Sequence, residues 1–300
     1  MSKFKEAWII PTSNGSGCNL AGGAYGLAEQ VVLVDLVGSA ETGADKVIKI
    51  DLGGQPISAC AQEIAERVAQ ESPALVLVES NWDGQLIAAS LAALEDAALF
   101  IDPQELGLVD AGMTSVRMVY GGSAFMKEIA TRPIVAVVPP GDYEPVDPKQ
   151  PASIEELSCS SSDIKLISED LVESQKVDLS AERIVVGVGR GLGSADGVPM
   201  MRKFAQALDA GIGCTRPVGE EEGWFGDSGY LGISGDKIKP ELYLACGISG
   251  QVQHMVGVSG AGMIFAINKD PNATIFKECD YGLIGDISTV IPRLTDLLSN

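Results

Sequence analysis

Two stretches of this 300-residue chain combine residue types that could hold an anionic ligand. The first is RIVVGVGRGLGS, in which an apolar run enters Gly187, Gly189, Gly191 and Gly193. Glycines at the carboxyl end of a strand let backbone amides approach a phosphate. The spacing is GxGxGxG rather than the dinucleotide fingerprint GxGxxG, and no carboxylate follows at the usual distance, so an ordinary glycine-rich turn fits as well. The second stretch is GISGQVQH, where the apolar run ELYLAC ends at Gly247, Ile248, Ser249 and Gly250. A short helix, QVQHMVG, is expected to start there with Ser249 as its N-cap and free amides facing an anion. His254 then lies one turn in. It is the one histidine of the chain, and position alone leaves a packed structural histidine and a ligand contact equally open.

The elements that must position these residues follow from hydrophobic patterning. EAWIIPT, VVLVDLV, KVIKIDL and ALVLVES read as short buried strands. SACAQEIAERVAQES carries Ala61, Ile64, Ala65 and Val68 at helical spacing, and DGQLIAASLAALED reads as a second helix. SVRMVYGG and RPIVAVVPP read as two later strands. Strand–helix–strand order implies a parallel sheet covered by helices. The phosphate-loop pattern GxxxxGK[ST] does not occur. Residues 141–180 are rich in Pro, Ser and acid and read as a linker or exposed loop, within which SSDIKLISEDLVES could add an edge strand. After the boundary, expected near 178–183, VPMMRKFAQALDA reads as a helix with Met201, Phe204, Ala205 and Leu208 on one face. ELYLACGIS and MIFAINKD read as strands and ISTVIPRLTDLLS as a closing helix. The expected architecture is two doubly wound α/β domains, residues 1–180 and 181–300. In the loop GEEEGWFGDSG, Trp224 and Phe225 read as packing residues, and Lys269 and Asp270 as a turn.

Bulk properties exclude several classes. The formal charge is −20, and residues 1–180 carry 27 acids against 11 bases while residues 181–300 carry 14 against 10. Such a chain repels nucleic acid and anionic membrane. No apolar run reaches the length of a membrane span, and the N-terminus lacks a secretory pattern, so a cytoplasmic protein is expected. Six cysteines occur without a CxxC pair, which favours buried thiols over a metal site or disulfide framework. No metal ligand set and no catalytic residue is expected.

GRGLGS, CTRPV, GISGQVQHMVG, AINKDPNATIF and CDYGLIGD, in this order, resemble the alpha subunit of electron transfer flavoproteins. The resemblance is close over residues 183–298 and looser through GADKVIKI and MVYGGSAFMKEIATRPIVAVVPPGDYEP. YLGIS together with KPELYLACGISGQVQHMVG is most similar to the Fix-type branch, associated with anaerobic carnitine and related acyl-CoA metabolism. The resemblance implies a nucleotide-hydrolase-like sheet in the first domain and one FAD held by the second. It places Arg190 on the cofactor and Thr215–Arg216 near the isoalloxazine ring. Leu231, Gly232, Ile233 and Ser234 match the segment whose last hydroxyl lies near flavin N5, with Ile233 where many relatives carry glutamine. Ser249, Gly250, Gln251, Val252, Gln253 and His254 match the pyrophosphate turn and a histidine beside flavin O2. Asn268 matches a ribose or phosphate contact, and Asp280–Tyr281 the adenosine end. A donor at His254 and a cation at Arg216 would favour the negatively charged reduced cofactor.

The resemblance further implies an electron carrier rather than a stand-alone enzyme. Its partners would be a beta subunit, acyl-CoA dehydrogenase-like donors, and quinone-reductase or ferredoxin-like redox proteins. An electron-bifurcating complex is the alternative within the family. A nicotinamide-dependent dehydrogenase on a related fold is disfavoured by the missing GxGxxG.

Overall fold

The computed structural model describes residues 3–38, 43–110, 112–131, 133–160, 164, 166–168, 179, 181–225 and 229–298. The chain forms two compact units, Met1–Val119 with Phe125–Asp170, and Tyr120–Ala124 with Leu171–Asn300. The edge strand considered for SSDIKLISEDLVES falls largely outside the described residues, as do residues 178 and 180 of the boundary expected near 178–183. Among those described, no helix is long and apolar enough to cross a membrane.

In the first unit the elements follow in the order β1 (Phe4–Ile10), α1 (Gly17–Leu27), β2 (Ala28–Asp35), β3 (Lys46–Asp51), α2 (Ile57–Gln70), β4 (Leu75–Glu79) and α3 (Trp82–Leu94). There follow β5 (Ala98–Ile101), β6 (Glu105–Val109), β7 (Gly112–Val119), β8 (Ala124–Ala130), β9 (Ile134–Val138) and β10 (Ser153–Ser158). Seven strands make one parallel sheet in the order β10-β3-β2-β1-β4-β9-β5, and β6-β7-β8 make a small second sheet. Successive residues of β1 serve opposite faces, as strand geometry requires. Ala7 and Ile9 pack with Leu20 and Ala24 of α1, while Trp8 and Ile10 pack with Ile64 of α2 and Ile87 of α3.

Two parts of this unit differ from the reading of residues alone. GCNLAGGAYGL forms α1 although four of its eleven residues are glycine, a composition that weakens an isolated helix. Its glycines admit a neighbour instead: a side chain at Gly23 would meet the Tyr143 ring at 2.8 Å, and one at Gly22 the Glu144 carbonyl oxygen at 2.0 Å. The segment expected as an exposed loop is therefore pinned on α1, where Asn19 Nδ2 donates to the Tyr143 carbonyl at 2.8 Å. Burial pushes the Tyr143 phenol up to about 12. Further on, Lys149 Nζ donates to Tyr25 Oη and to Asp45 Oδ1, each at 2.6 Å. The chain then runs beside β3 as β10, in parallel register from Ser153–Lys46 to Ser158–Asp51. The expected linker thus contains an edge strand.

The winding reverses between β1 and β4, and there Glu79 closes the carboxyl edge. Its Oε2 accepts from the amides of Thr12 and Ser13 at 2.7 and 2.9 Å and from Ser16 Oγ at 2.7 Å. Ser13 Oγ donates to Oε1. Burial alone would raise this carboxyl, but the hydrogen bonds from Ser13, Ser16 and Thr12 outweigh it and hold Glu79 below the usual range. Glu79→Gln is expected to cost about 1–3 kcal/mol at pH 7, since it leaves buried donors poorly matched. A depressed carboxylate contributes fully above its unfolded value of about 4.3 and loses that contribution as pH falls through the lower folded value. Urea unfolding of both proteins at pH 7 and pH 3 should show the gap narrowing at the lower pH; a gap independent of pH would contradict the charged role.

The second unit comprises β11 (Ile184–Val188), α4 (Val198–Ala207), β12 (Gly211–Thr215), β13 (Tyr230–Leu231) and β14 (Leu242–Cys246), followed by α5 (Val252–Met255), β15 (Ile264–Asn268), β16 (Tyr281–Ile284) and α6 (Ile287–Leu298). Its sheet is parallel throughout, in the order β13-β12-β11-β14-β15-β16. Counted from β11 this is 3-2-1-4-5-6, the order of doubly wound dinucleotide-binding sheets. One face packs Val186, Val188, Leu244 and Ile267 against Met201 and Phe204 of α4 and Ile291 of α6. The other packs Val185, Tyr243 and Ala245 against Leu231, Met255 and Ile275.

Candidate functional site

Ligands of such sheets lie outside the carboxyl ends of the strands where the winding reverses. In the second unit that point lies between β11 and β14. The turns leaving these two strands pack backbone on backbone. Gly189 N donates to the Cys246 carbonyl and Gly191 N to the Gly247 carbonyl, both at 2.9 Å. A side chain at Gly189 would sit 2.3 Å from the Gly247 carbonyl oxygen, and one at Gly191 would sit 2.6 Å from the Gly247 Cα. Gly247 itself has φ 65°, a left-handed conformation that glycine adopts without penalty. Gly189 and Gly191 therefore serve the approach of two turns to each other.

Around these turns lies a cavity of about 500 Å³, within the range of small-molecule sites. The carboxyl ends of β13, β12, β11, β14 and β15 all contribute to it. Five adjacent strands at about 4.8 Å spacing span roughly 19 Å, so the cavity suits an extended ligand better than a compact one. Of the residues named from the sequence, Arg190, Thr215, Arg216, Leu231, Gly232, Ile233, Ser234, Ser249, Gln251, Gln253, His254 and Asn268 line it. Gly250 and Val252 lie in the same turn but are not among the lining residues. The backbone of Gly250, with φ 82°, packs against Ile275.

Asp280 and Tyr281 are not brought to the cavity. In a parallel sheet all carboxyl ends lie on one edge, and Tyr281 begins β16 in register with Phe265 near the start of β15. Asp280 Oδ2 accepts from the Ile264 amide at 2.8 Å, which fixes it at the amino edge. At the carboxyl edge of β16 stands Asp286, whose Oδ1 accepts from the amide and hydroxyl of Ser288 at the start of α6. Motif order locates a residue along the chain and cannot say which edge of the sheet it occupies.

Several side chains have partners that spacing does not reveal. Ser249 does not cap a helix. The N-cap of α5 is Gln251, and the helix is four residues long. The Ser249 carbonyl instead accepts from the Ile275 amide at 2.9 Å and from Thr274 Oγ1 at 2.7 Å. Asn268 Nδ2 donates to the Ile248 carbonyl at 2.8 Å, and its Oδ1 accepts from the Asp270 amide. Asn268 thus ties the turns after β14 and β15 together. Arg216 lies beside Glu220, with Nε to Oε2 at 2.6 Å, and its guanidinium stands 6.0 Å from the Tyr230 ring. Tyr230 Oη donates to the Ser234 carbonyl at 2.9 Å. Phe225 is buried in the core of this unit and Trp224 packs against it, as their loop suggests. Asp270 and Tyr230 also line the cavity. Asp270 was legible only as a turn residue, while Tyr230 directly precedes the YLGIS segment already singled out.

His254 is 8% exposed. Its Nδ1 lies 3.1 Å from the Leu231 carbonyl oxygen and its Nε2 lies 2.8 Å from Tyr243 Oη. In this arrangement both nitrogens are engaged by the protein, so the donor expected at this position is directed at Leu231. Burial, opposed by the Leu231 hydrogen bond, lowers the imidazole to about 4, and the ring is neutral at pH 7. The donor set of the whole cavity suits a polyanion with polar ends. Two guanidinium groups, four hydroxyls and three carboxamides face one carboxylate, Asp270.

Comparison with known proteins accords with this geometry. The family model described as "Electron transfer flavoprotein FAD-binding domain" matches residues 178–259, and the one described as "Electron transfer flavoprotein domain" matches residues 25–162. Protein FixB of Escherichia coli O17:K52:H18 (strain UMN026 / ExPEC) is 37% identical over 314 residues, with both chains covered completely. Protein FixB of Shigella dysenteriae serotype 1 (strain Sd197) is similar to the same extent.

The neutral histidine carries a stability signature. Its folded value lies below the unfolded value of about 6.5, so the unfolded chain takes up the proton first and stability falls as pH drops below that value. On the order of 2 kcal/mol should be lost by pH 5 through this group. Denaturant unfolding of wild type and His254→Gln between pH 7 and pH 5 should show the substituted protein lacking that increment. Parallel pH curves would contradict the buried neutral state.

Proposed function

Because the chain belongs to the electron transfer flavoprotein alpha-subunit family, we propose that it binds one FAD in the cavity of its second unit and carries electrons between redox proteins as one half of a heterodimer. The observation that carries this reading is the coincidence of the FAD-binding-domain match with an elongated cavity at the reversal point of a 3-2-1-4-5-6 sheet. Bound FAD supplies reversible one- and two-electron chemistry. The chain's own residues bind and orient it. Arg190 and Thr215 hold its polar groups on one side of the β11 turn, and the turn from Ser249 to Gln253 presents backbone amides to the pyrophosphate. Ser234 offers a hydroxyl at the β13 end of the cavity. Arg216 places a positive charge where reduction adds negative charge, an effect enlarged by partial exclusion of water. His254 forms a fixed neutral wall.

The heterodimer partner is read as a beta subunit. The acidic first unit and its exposed strand residues Phe125 and Ile129, each 66% accessible, supply charged and apolar surface for such a partner. Similarity to the Fix-type branch supports acyl-CoA dehydrogenase-like donors, in acyl-CoA or carnitine-type metabolism, and quinone-reductase or ferredoxin-like acceptors.

The visible spectrum of the complex purified with its partner tests the reading. It should be yellow, with one FAD for each copy of this chain in the second unit, whatever the partner holds. A colourless complex that takes up no FAD would sink the proposal. Arg216→Ala should weaken FAD binding roughly tenfold, the order expected for loss of one charge-assisted contact, and should lower the flavin's reduction potential. Equal affinity and potential in both proteins would remove Arg216 from the site.

A further inference from the structure

Tyr243 is the second residue of β14 and is completely buried. Its ring faces the side of the sheet that holds Val185, Leu231 and Ala245. On the neighbouring strand, Gly187 is the register partner of Ala245, two residues along from Tyr243. Gly187 lies against the phenol. A side-chain carbon there would stand 1.9 Å from Tyr243 Oη and 2.4 Å from Cζ, closer than any real contact, and both the ring and the strand are fixed by packing. The absence of a side chain at 187 gives the phenol its seat. From that seat its hydroxyl meets His254 Nε2 at 2.8 Å, with the two rings tilted by 41° at 6.0 Å between centroids.

The direction of each hydrogen bond follows from the partners. A carbonyl oxygen only accepts, so His254 Nδ1 must carry the proton that it donates to Leu231. In a neutral imidazole Nε2 is then an acceptor, and the Tyr243 hydroxyl donates to it. The carbonyl and the hydroxyl therefore demand the same tautomer. With both ring nitrogens held, rotation of the imidazole would break two buried hydrogen bonds.

We propose that Tyr243, seated on Gly187, is a positioning residue of the flavin site, which holds His254 at the cavity wall in one ring orientation and as the Nδ1-protonated neutral tautomer. The inference rests on the reading of the cavity as an FAD site. Tyr243 is not among the residues lining the cavity, so it acts through the imidazole. The histidine, in turn, contributes to the bound cofactor a ring of fixed placement and a neutral dipole. The phenol is the group that sets both.

Because His254 is the one histidine of the chain, nitrogen NMR reads the pair directly. The experiment uses this chain labelled with ¹⁵N-histidine, assembled with its unlabelled partner and FAD. At pH 7 the wild type should give one protonated nitrogen, assigned to Nδ1, and one unprotonated, hydrogen-bonded nitrogen, assigned to Nε2. In Tyr243→Phe the Nε2 resonance should move toward the value of a nitrogen without a donor, and the reduction potential of the bound flavin should shift. Gly187→Ala, which evicts the phenol from its seat, should reproduce the same nitrogen shift. A wild type protonated at Nε2, or at both nitrogens at pH 7, overturns the proposal even where neither variant folds. An Nε2 resonance identical in wild type and Tyr243→Phe also overturns it, as does an unchanged flavin potential. FAD content separates the two levels of inference: a yellow wild type with an unmoved Nε2 refutes the positioning role alone, whereas a wild type that takes up no FAD refutes the cavity reading and leaves the nitrogen spectrum to judge the Tyr243–His254 pair.

Discussion

At the point where the winding of the second sheet reverses, two turns press together with nothing between them but main chain. Gly189 and Gly191 lie on the backbone of Gly247, and the amides of both donate into the β14 turn. The separation of strands β11 and β14 is set by the sheet, so the turns have no room to spread. Any side chain at these glycines would force the strand ends apart and move Arg190, Ser249 and His254 with them. The glycines are needed for this contact before any ligand is considered, and the cavity is what remains around it.

The same reversal occurs in the first unit with a different filling. Between β1 and β4 the amides of Thr12 and Ser13 and the hydroxyls of Ser13 and Ser16 all converge on the carboxylate of Glu79. The chain there meets the donors of its own strand ends with its own acid. Among the described residues of the second unit no carboxylate gathers the amides of the β11 and β14 turns: Asn268 bridges two turns through its amide, and Arg190, Ser249 and Gln251 line the cavity. One topology thus gives a satisfied edge in one unit and an open edge in the other, and the difference rests on a few residues at strand ends.

Much of this was legible in the sequence, and the gaps have physical causes. The strands VVLVDLV, ALVLVES and IVAVV are buried on both faces, so their apolar runs mark them without ambiguity. Helix α1 was hidden because its glycines lower helix propensity, and their value appears only with Tyr143 and Glu144 packed on them. Strand β10 was hidden because SIEELS is an exposed edge strand, held by backbone register rather than by burial. At the site, the residues that the family resemblance names make up most of the cavity wall. Asp280 and Tyr281 lie at the amino edge, and a motif does not disclose which edge of a sheet it reaches. Nor does it disclose the partners of His254, because Tyr243 reads simply as an aromatic residue in a strand and Leu231 contributes only a carbonyl.

The seat of Tyr243 on Gly187 has a consequence for how such sequences drift. Each position fixes what the other can become. A side chain can be gained at 187 only in a chain that has already given up the phenol at 243. Giving up the phenol first leaves an empty slot over the glycine and an imidazole with an unanswered nitrogen. The two positions lie 56 residues apart in sequence and on neighbouring strands, so neither single step is neutral and the passable route changes both together. Across relatives the pair should therefore be inherited as one unit, with its traces visible as covariation between two strands rather than as constancy at either site alone.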